Sequence, residues 1–209
     1  MANNITRWAD EDPPNMLLAI DPGASFPDRN PHRRVPYAGV AMFQWGSLTW
    51  AGLVKCPIEV NTEVVSAFAR PNALVKKVCH EVGIARFAGE AGRRGKPGVT
   101  LNVLAVENPL IYTKGTARPK DILALGKIYG AFMGGIDSEF YSGPSPQEWK
   151  GSIDPATVNE RAAAILNPME QVILIKAQRA GEGGLSDHVL DAVGLGLFTL
   201  ARAGKAMVV

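Results

Sequence analysis

Residues 16–25, MLLAIDPGAS, decide the reading of this chain. An apolar run from Met16 to Ile20 delivers a lone carboxylate, Asp21, and Pro22-Gly23 then predicts a break. A short continuous apolar run bounded by turn residues reads as a buried strand. The carboxyl ends of strands in α/β sheets line the crevice where ligands gather, so an acid there is well placed for chemistry. The pattern recurs at residues 101–109, LNVLAVENP, where an apolar run ends on Glu107 shortly before Pro109. Turn acids would account for each carboxylate alone; one crevice accounts for both.

Outward from these strands, residues 24–36 (ASFPDRNPHRRVP) read as a loop. YAGVAMFQW and LTWAGLVK, separated by Gly46-Ser47, predict a hairpin of two strands. Residues 61–82 predict a helix with Asn61 at its N-cap and a kink or break at Pro71. Residues 86–98 (RFAGEAGRRGKPG) form a basic, glycine-rich loop. Residues 119–137 have apolar positions at helical spacing with glycines among them, and SEFYSG predicts a fifth strand. A Pro-rich connector carries Trp149 and Lys150, and residues 155–166 predict a helix with Pro in its first turn. VILIKAQ fits neither type clearly, and SDHVLDAVGLGLFTLARAG predicts a last helix capped by Ser186. A hairpin followed by alternating strands and helices implies one α/β domain over residues 16–209, a five-stranded mixed sheet flanked by helices. Residues 1–15 are polar and acidic and read as a flexible N-terminus with no signal peptide.

Hydrophobic residues make up 46% and charged residues 20%, the composition of an ordinary globular domain. A net charge of +2 is too small to announce nucleic-acid binding, so any basic surface must come from clustering. Cys56 and Cys79 have no metal-binding or redox spacing and read as reduced cysteines. No run reaches the roughly 18 apolar residues of a membrane span, and the expected location is the cytoplasm.

The last helix adds a third group of acids. Asp187 and Asp191 stand four residues apart, with His188 three before Asp191, so all can share one helix face. Acids in a first helical turn also suit the macrodipole, but the dipole asks for no histidine. Gathered carboxylates repel one another unless something cationic lies between them. Hard oxygen donors suit Mg²⁺ or Mn²⁺, and two such ions about 4 Å apart form the clamp used for phosphodiester cleavage.

LLAIDPG on the first strand, LAVENP on the fourth, a helix like DILALGKIYGAF and a late helix with SDHVLDAVGLGLF together resemble the RuvC-type Holliday-junction resolvases. These belong to the RNase H-like nuclease superfamily, and the phage-encoded branch looks most similar. The resemblance runs through residues 16–203 and is concentrated at those four stations. It implies an RNase H-like fold and a crossover-junction endodeoxyribonuclease that uses two Mg²⁺ or Mn²⁺ ions. Asp21 matches the family's first acid, Glu107 its second and Asp191 its last. The third ligand position falls on His188, with Asp187 one turn position away as the alternative. Lys150 matches a family lysine after the fifth strand. A second basic residue near the next helix has no equivalent, since Thr157 or Asn159 stands there.

A junction-binding surface would draw on Arg33, Arg34, Arg93, Arg94, Lys96, Lys114, Arg118, Lys120 and Lys150, all in loops or at helix starts. Phe26, Tyr112 and Trp149 are candidates for stacking on exposed bases. Expected substrates are four-way junctions, forks or flaps. Paired nicks imply a C₂ homodimer, for which the glycine-bearing helix 119–137 is a candidate interface if it does not pack on its own sheet. Two other functions fit the pattern less fully: a branched-DNA-binding module that does not cut, and an actin-like ATP-binding protein, whose repeated half-fold this chain lacks.

Overall fold

The computed structural model describes residues 15–27, 34–57, 69–86, 101–109, 119–180 and 186–206. Five strands, β1 (Met16–Pro27), β2 (Arg34–Gln44), β3 (Ser47–Lys55), β4 (Leu101–Val106) and β5 (Ser138–Ser142), form one sheet in the order β3-β2-β1-β4-β5. β2 is antiparallel to both β1 and β3, whereas β4 runs parallel to β1 and to β5. Among the described residues six helices join it: α1 (Ala69–Val82), α2 (Pro119–Gly135), α3 (Pro146–Trp149), α4 (Pro155–Ile165), α5 (Pro168–Ala180) and α6 (Ser186–Ala206). This mixed sheet with helices on both faces is the α/β architecture expected from the sequence.

Alternation along the strands sorts the core into two halves. Leu18 and Ile20 of β1, Val40 and Met42 of β2 and Leu104 and Val106 of β4 pack with α1 and α2. Leu17, Ala19, Ala41, Phe43, Val103 and Ala105 face the other way, onto a layer built from α3, α4, α5 and α6. Leu17, Leu18, Ala19 and Ile20 are all fully buried. Burying each of the larger three is worth roughly 1.5–3 kcal/mol, which makes β1 a firm support for the acid that follows.

The expected break at Pro22-Gly23 is not there: β1 continues to Pro27, paired with β2 through Pro22↔Ala38 and Gly23↔Tyr37, with an irregularity before Phe26. The reason lies in which way the backbone groups point. The Ile20 carbonyl accepts the Glu107 amide on the β4 side. Pro22, two residues on, faces that same side, where pairing with β4 has ended at Ile20↔Val106, so its missing N–H removes no ladder bond. Residues 24–27 and 34–36 are therefore strand rather than loop; 28–33 lie outside the described residues.

Three helical expectations also change. α1 begins at Ala69, so Pro71 sits in its first turn, where proline is tolerated, and causes no kink; Asn61 lies outside the described residues. VILIKAQ belongs to α5, and the connector before Lys150 is the four-residue helix α3, closed by a capping box between Ser145 and Glu148. α4 starts at Pro155, as expected, and the structure adds an Asp154 cap. No described helix is long and apolar enough to cross a membrane.

Candidate functional site

Strand alternation places Asp21 and Glu107 on the same face of the sheet. Ile20 and Val106 are paired neighbours that both point toward α1 and α2, so the next residue of each chain points toward α6. α6 lies across that face, close to β1 and β2, and its first two turns carry His188 and Asp191 over the acids. Gly39 of β2 permits this approach: a Cβ there would run into the His188 carbonyl and the Val189 nitrogen. Lys150 arrives from the C-cap of α3.

The resulting contacts form one network. His188 Nδ1 lies 2.5 Å from Asp21 Oδ2, and His188 Nε2 lies 2.7 Å from the Tyr37 hydroxyl. Lys150 Nζ donates to Asp191 Oδ2 at 2.7 Å and stands 3.7 Å from Glu107 Oε2. Trp149 Nε1 donates to that same Glu107 oxygen at 2.8 Å. Asp21 is only 4% exposed, and Asp191 Oδ1 is buried with no hydrogen-bond partner among the described residues.

Packing three carboxylates here has electrostatic consequences. Burial, with Asp21 close by, pushes Glu107 up from 4.5 to about 7 against the pull of Lys150. Burial and Asp21 likewise raise Asp191, with Lys150 opposing. Burial alone would lower the cations, but Glu107 and Asp191 raise Lys150, and the hydrogen bond and charge of Asp21 raise His188. Tyr37 is pushed up to about 12 by burial and by Asp21, so its hydroxyl keeps its proton.

No family model and no curated protein matches the sequence. Among solved structures the chain is similar to T. thermophilus RuvC in complex with Holliday junction substrate. The identity is 17% and the TM-score 0.42, over 92% of this chain and 94% of that one. That likeness is one of overall arrangement and assigns no residue.

Of the residues singled out from sequence, Asp21, Glu107, His188, Asp191 and Lys150 come together. Asp187 is exposed, while His188 on the same turn faces Asp21. Lys150 is held within the acid cluster with its side chain only 15% exposed. Trp149 is 2% exposed and committed to Glu107, which removes it as a base-stacking residue. Lys120 stands in the first turn of α2 and Arg34 at the start of β2. Arg33, Arg93, Arg94, Lys96, Lys114, Arg118 and Tyr112 lie outside the described residues. Tyr37 is the site residue that sequence reading missed. It opens an apolar strand and meets a histidine 151 residues away, so only strand register could have found it.

Among the described residues, no three His, Cys, Asp and Glu side chains are gathered as they would be around one metal ion. Asp191 and Glu107 instead turn oxygens to Lys150 and Trp149. The donor set nonetheless fits a hard cation. The acids are all oxygen donors on firm supports, one buried oxygen is unpartnered among the described residues, and two carboxylates are raised by burial and by the Asp21 charge, which a cation would offset.

Proposed function

We propose that this chain is a metal-dependent endodeoxyribonuclease that nicks Holliday junctions or other branched DNA by two-metal phosphodiester hydrolysis. The observation that carries the reading is the convergence of Asp21, Glu107 and Asp191, from three separate elements, with the buried Asp191 Oδ1 unpartnered among the described residues. These three residues would hold Mg²⁺ or Mn²⁺. Such a pair, when bound, supplies an activated water and charge stabilisation for the leaving oxygen. The chain's own part is to hold the donors: β1 and β4 fix two of them, α6 presents the third, and Lys150 balances charge beside Glu107 and Asp191. Lys150 is also the described cation best placed to meet a phosphate entering the crevice.

Two symmetric nicks call for a C₂ homodimer. The apolar side of α2, with Ile128, Ala131 and Phe132, packs on its own sheet. Gly126, Gly130 and Gly134 remain on its exposed side, with Leu123 61% exposed nearby, as a surface for a second copy. Sedimentation velocity would report the dimer.

The deciding experiment incubates the protein with four-way junctions, forks, flaps and linear duplexes in Mg²⁺ or Mn²⁺ and maps nick positions. Nicks at branch points are expected. The position of Lys150 among the acids favours a second reading, a branched-DNA-binding module without cleavage. A junction-specific gel shift with no nick under any divalent condition would support it.

A further inference from the structure

We infer that Tyr37 and Asp21 together lock His188 in its Nδ1–H tautomer, making His188 a positioning residue for the Asp21 carboxylate. Both ring nitrogens are engaged inside the protein: Nδ1 with Asp21 Oδ2 at 2.5 Å, Nε2 with the Tyr37 hydroxyl at 2.7 Å. A carboxylate can only accept, so the proton of the neutral ring lies on Nδ1. The hydroxyl then donates to Nε2 and occupies its lone pair.

The fold builds a slot for this chain of hydrogen bonds. Tyr37 is 6% exposed and meets the imidazole edge-on, with ring centroids 4.9 Å apart. Its ring lies over Gly23, its strand-pair partner, where any Cβ would collide with the aromatic carbons. Gly39 in turn lets the backbone at His188 settle against β2. Glycines on adjacent strands thus admit the tyrosine ring and the helix that carries the histidine. The hydrogen bond from Nδ1 fixes which way the Asp21 carboxylate faces, leaving its other oxygen for the crevice. Such outer partners of a ligating group commonly matter 10–100-fold. The effect on cleavage rests on the nuclease reading; the tautomer does not.

The test uses long-range ¹⁵N–¹H NMR on the full ¹⁵N-labelled chain at about pH 9, above the ordinary histidine range. The chain's histidines are His32, His80 and His188, so His32→Gln and His80→Gln assign the signals. The expected wild-type spectrum has the His188 proton on Nδ1 and a hydrogen-bonded acceptor at Nε2. In Tyr37→Phe the ring packing is kept, Nδ1 stays protonated, and the Nε2 resonance moves to that of a free acceptor. Nicking should fall about tenfold or more with junction affinity unchanged. A wild-type proton on Nε2, a His188 spectrum unchanged by Tyr37→Phe, or full nicking by that variant would each overturn the inference. The wild-type spectrum decides the tautomer even if the variant does not fold. The expected tautomer in a protein that nicks no DNA would support the lock and defeat the nuclease reading.

Discussion

Asp21 sits where a bare charge is hard to keep: 4% exposed, at the end of four fully buried residues. Desolvating an ion costs several kcal/mol, and the hydrogen bond from His188 offsets part of it. In Asp21→Asn the amide oxygen still accepts from Nδ1, so the fold should persist while the metal-binding charge is gone. Cleavage is expected to vanish and junction binding to hold or tighten, because one negative charge facing phosphate is removed. Nicking at the wild-type rate in Mg²⁺ would dismiss the site. Glu107 gives a second handle, since its value of about 7 means that it holds a proton in mildly acidic solution. Mg²⁺ binding should expel that proton, so calorimetry at pH 6.5 in buffers of different ionisation enthalpy should report proton release that fades by about pH 8.5.

At the level of elements, the critical contact is α6 against β2. Gly39→Ala would place a methyl group on the His188 carbonyl, which is backbone and cannot rotate away. Overpacking of this kind costs about 1–3 kcal/mol, so the melting temperature should drop by several degrees. The displacement also carries His188 and Asp191 away from β1, so nicking should fall further than the folded fraction does. The two acids were legible in the sequence because a carboxylate closing an apolar run stands out locally, although only Glu107 follows a strand end and Asp21 lies within β1; strand alternation does the rest. α5 was not legible: Met169, Val172 and Ile175 are exposed apolar residues on it, and they blur the helical period. Its cap was readable in hindsight, as Asn167 and the buried Glu170 exchange hydrogen bonds in a capping-box pattern. The charge partners of Lys150 and Trp149 were hidden because they depend on where a four-residue helix sets its C-terminus. The strand extending past Pro22 was hidden for a similar reason, since sequence shows a missing donor but not the side it faces.

For the whole molecule, the site makes stability fall as pH rises. Glu107 and Asp191 hold protons in the folded state that the unfolded chain gives up; the Glu107 share is complete below about 4.5 and is lost as pH climbs through about 7, and the raised Asp191 acts in the same direction. His188 and Lys150 act in the same direction: their raised values stabilise the fold at low pH, and the histidine share fades as pH rises past 6.5 and through its raised value. The Glu107 shift alone corresponds to ~3 kcal/mol. Melting between pH 5.5 and 8 should show the decline, and millimolar Mg²⁺ should reverse it at pH 8 far more than at 5.5. A flat profile without Mg²⁺ would contradict this. The basic loop residues proposed for DNA binding have their own test: alanine at Arg93, Arg94 and Lys96 should flatten the log–log salt dependence of junction binding by roughly 2–3 units. The cover that α6 gives to β1 and β2 also bears on synthesis. A chain emerging from the ribosome makes its whole sheet before α6, and strands joined across such sequence distances assemble slowly. Until residues 186–206 dock, Leu17, Ala19, Ala41 and Phe43 lack the helix that covers them. During that interval the nascent protein offers an apolar sheet face to chaperones and to its neighbours, and Asp21 and Glu107 stand without the histidine and aspartate that complete the site.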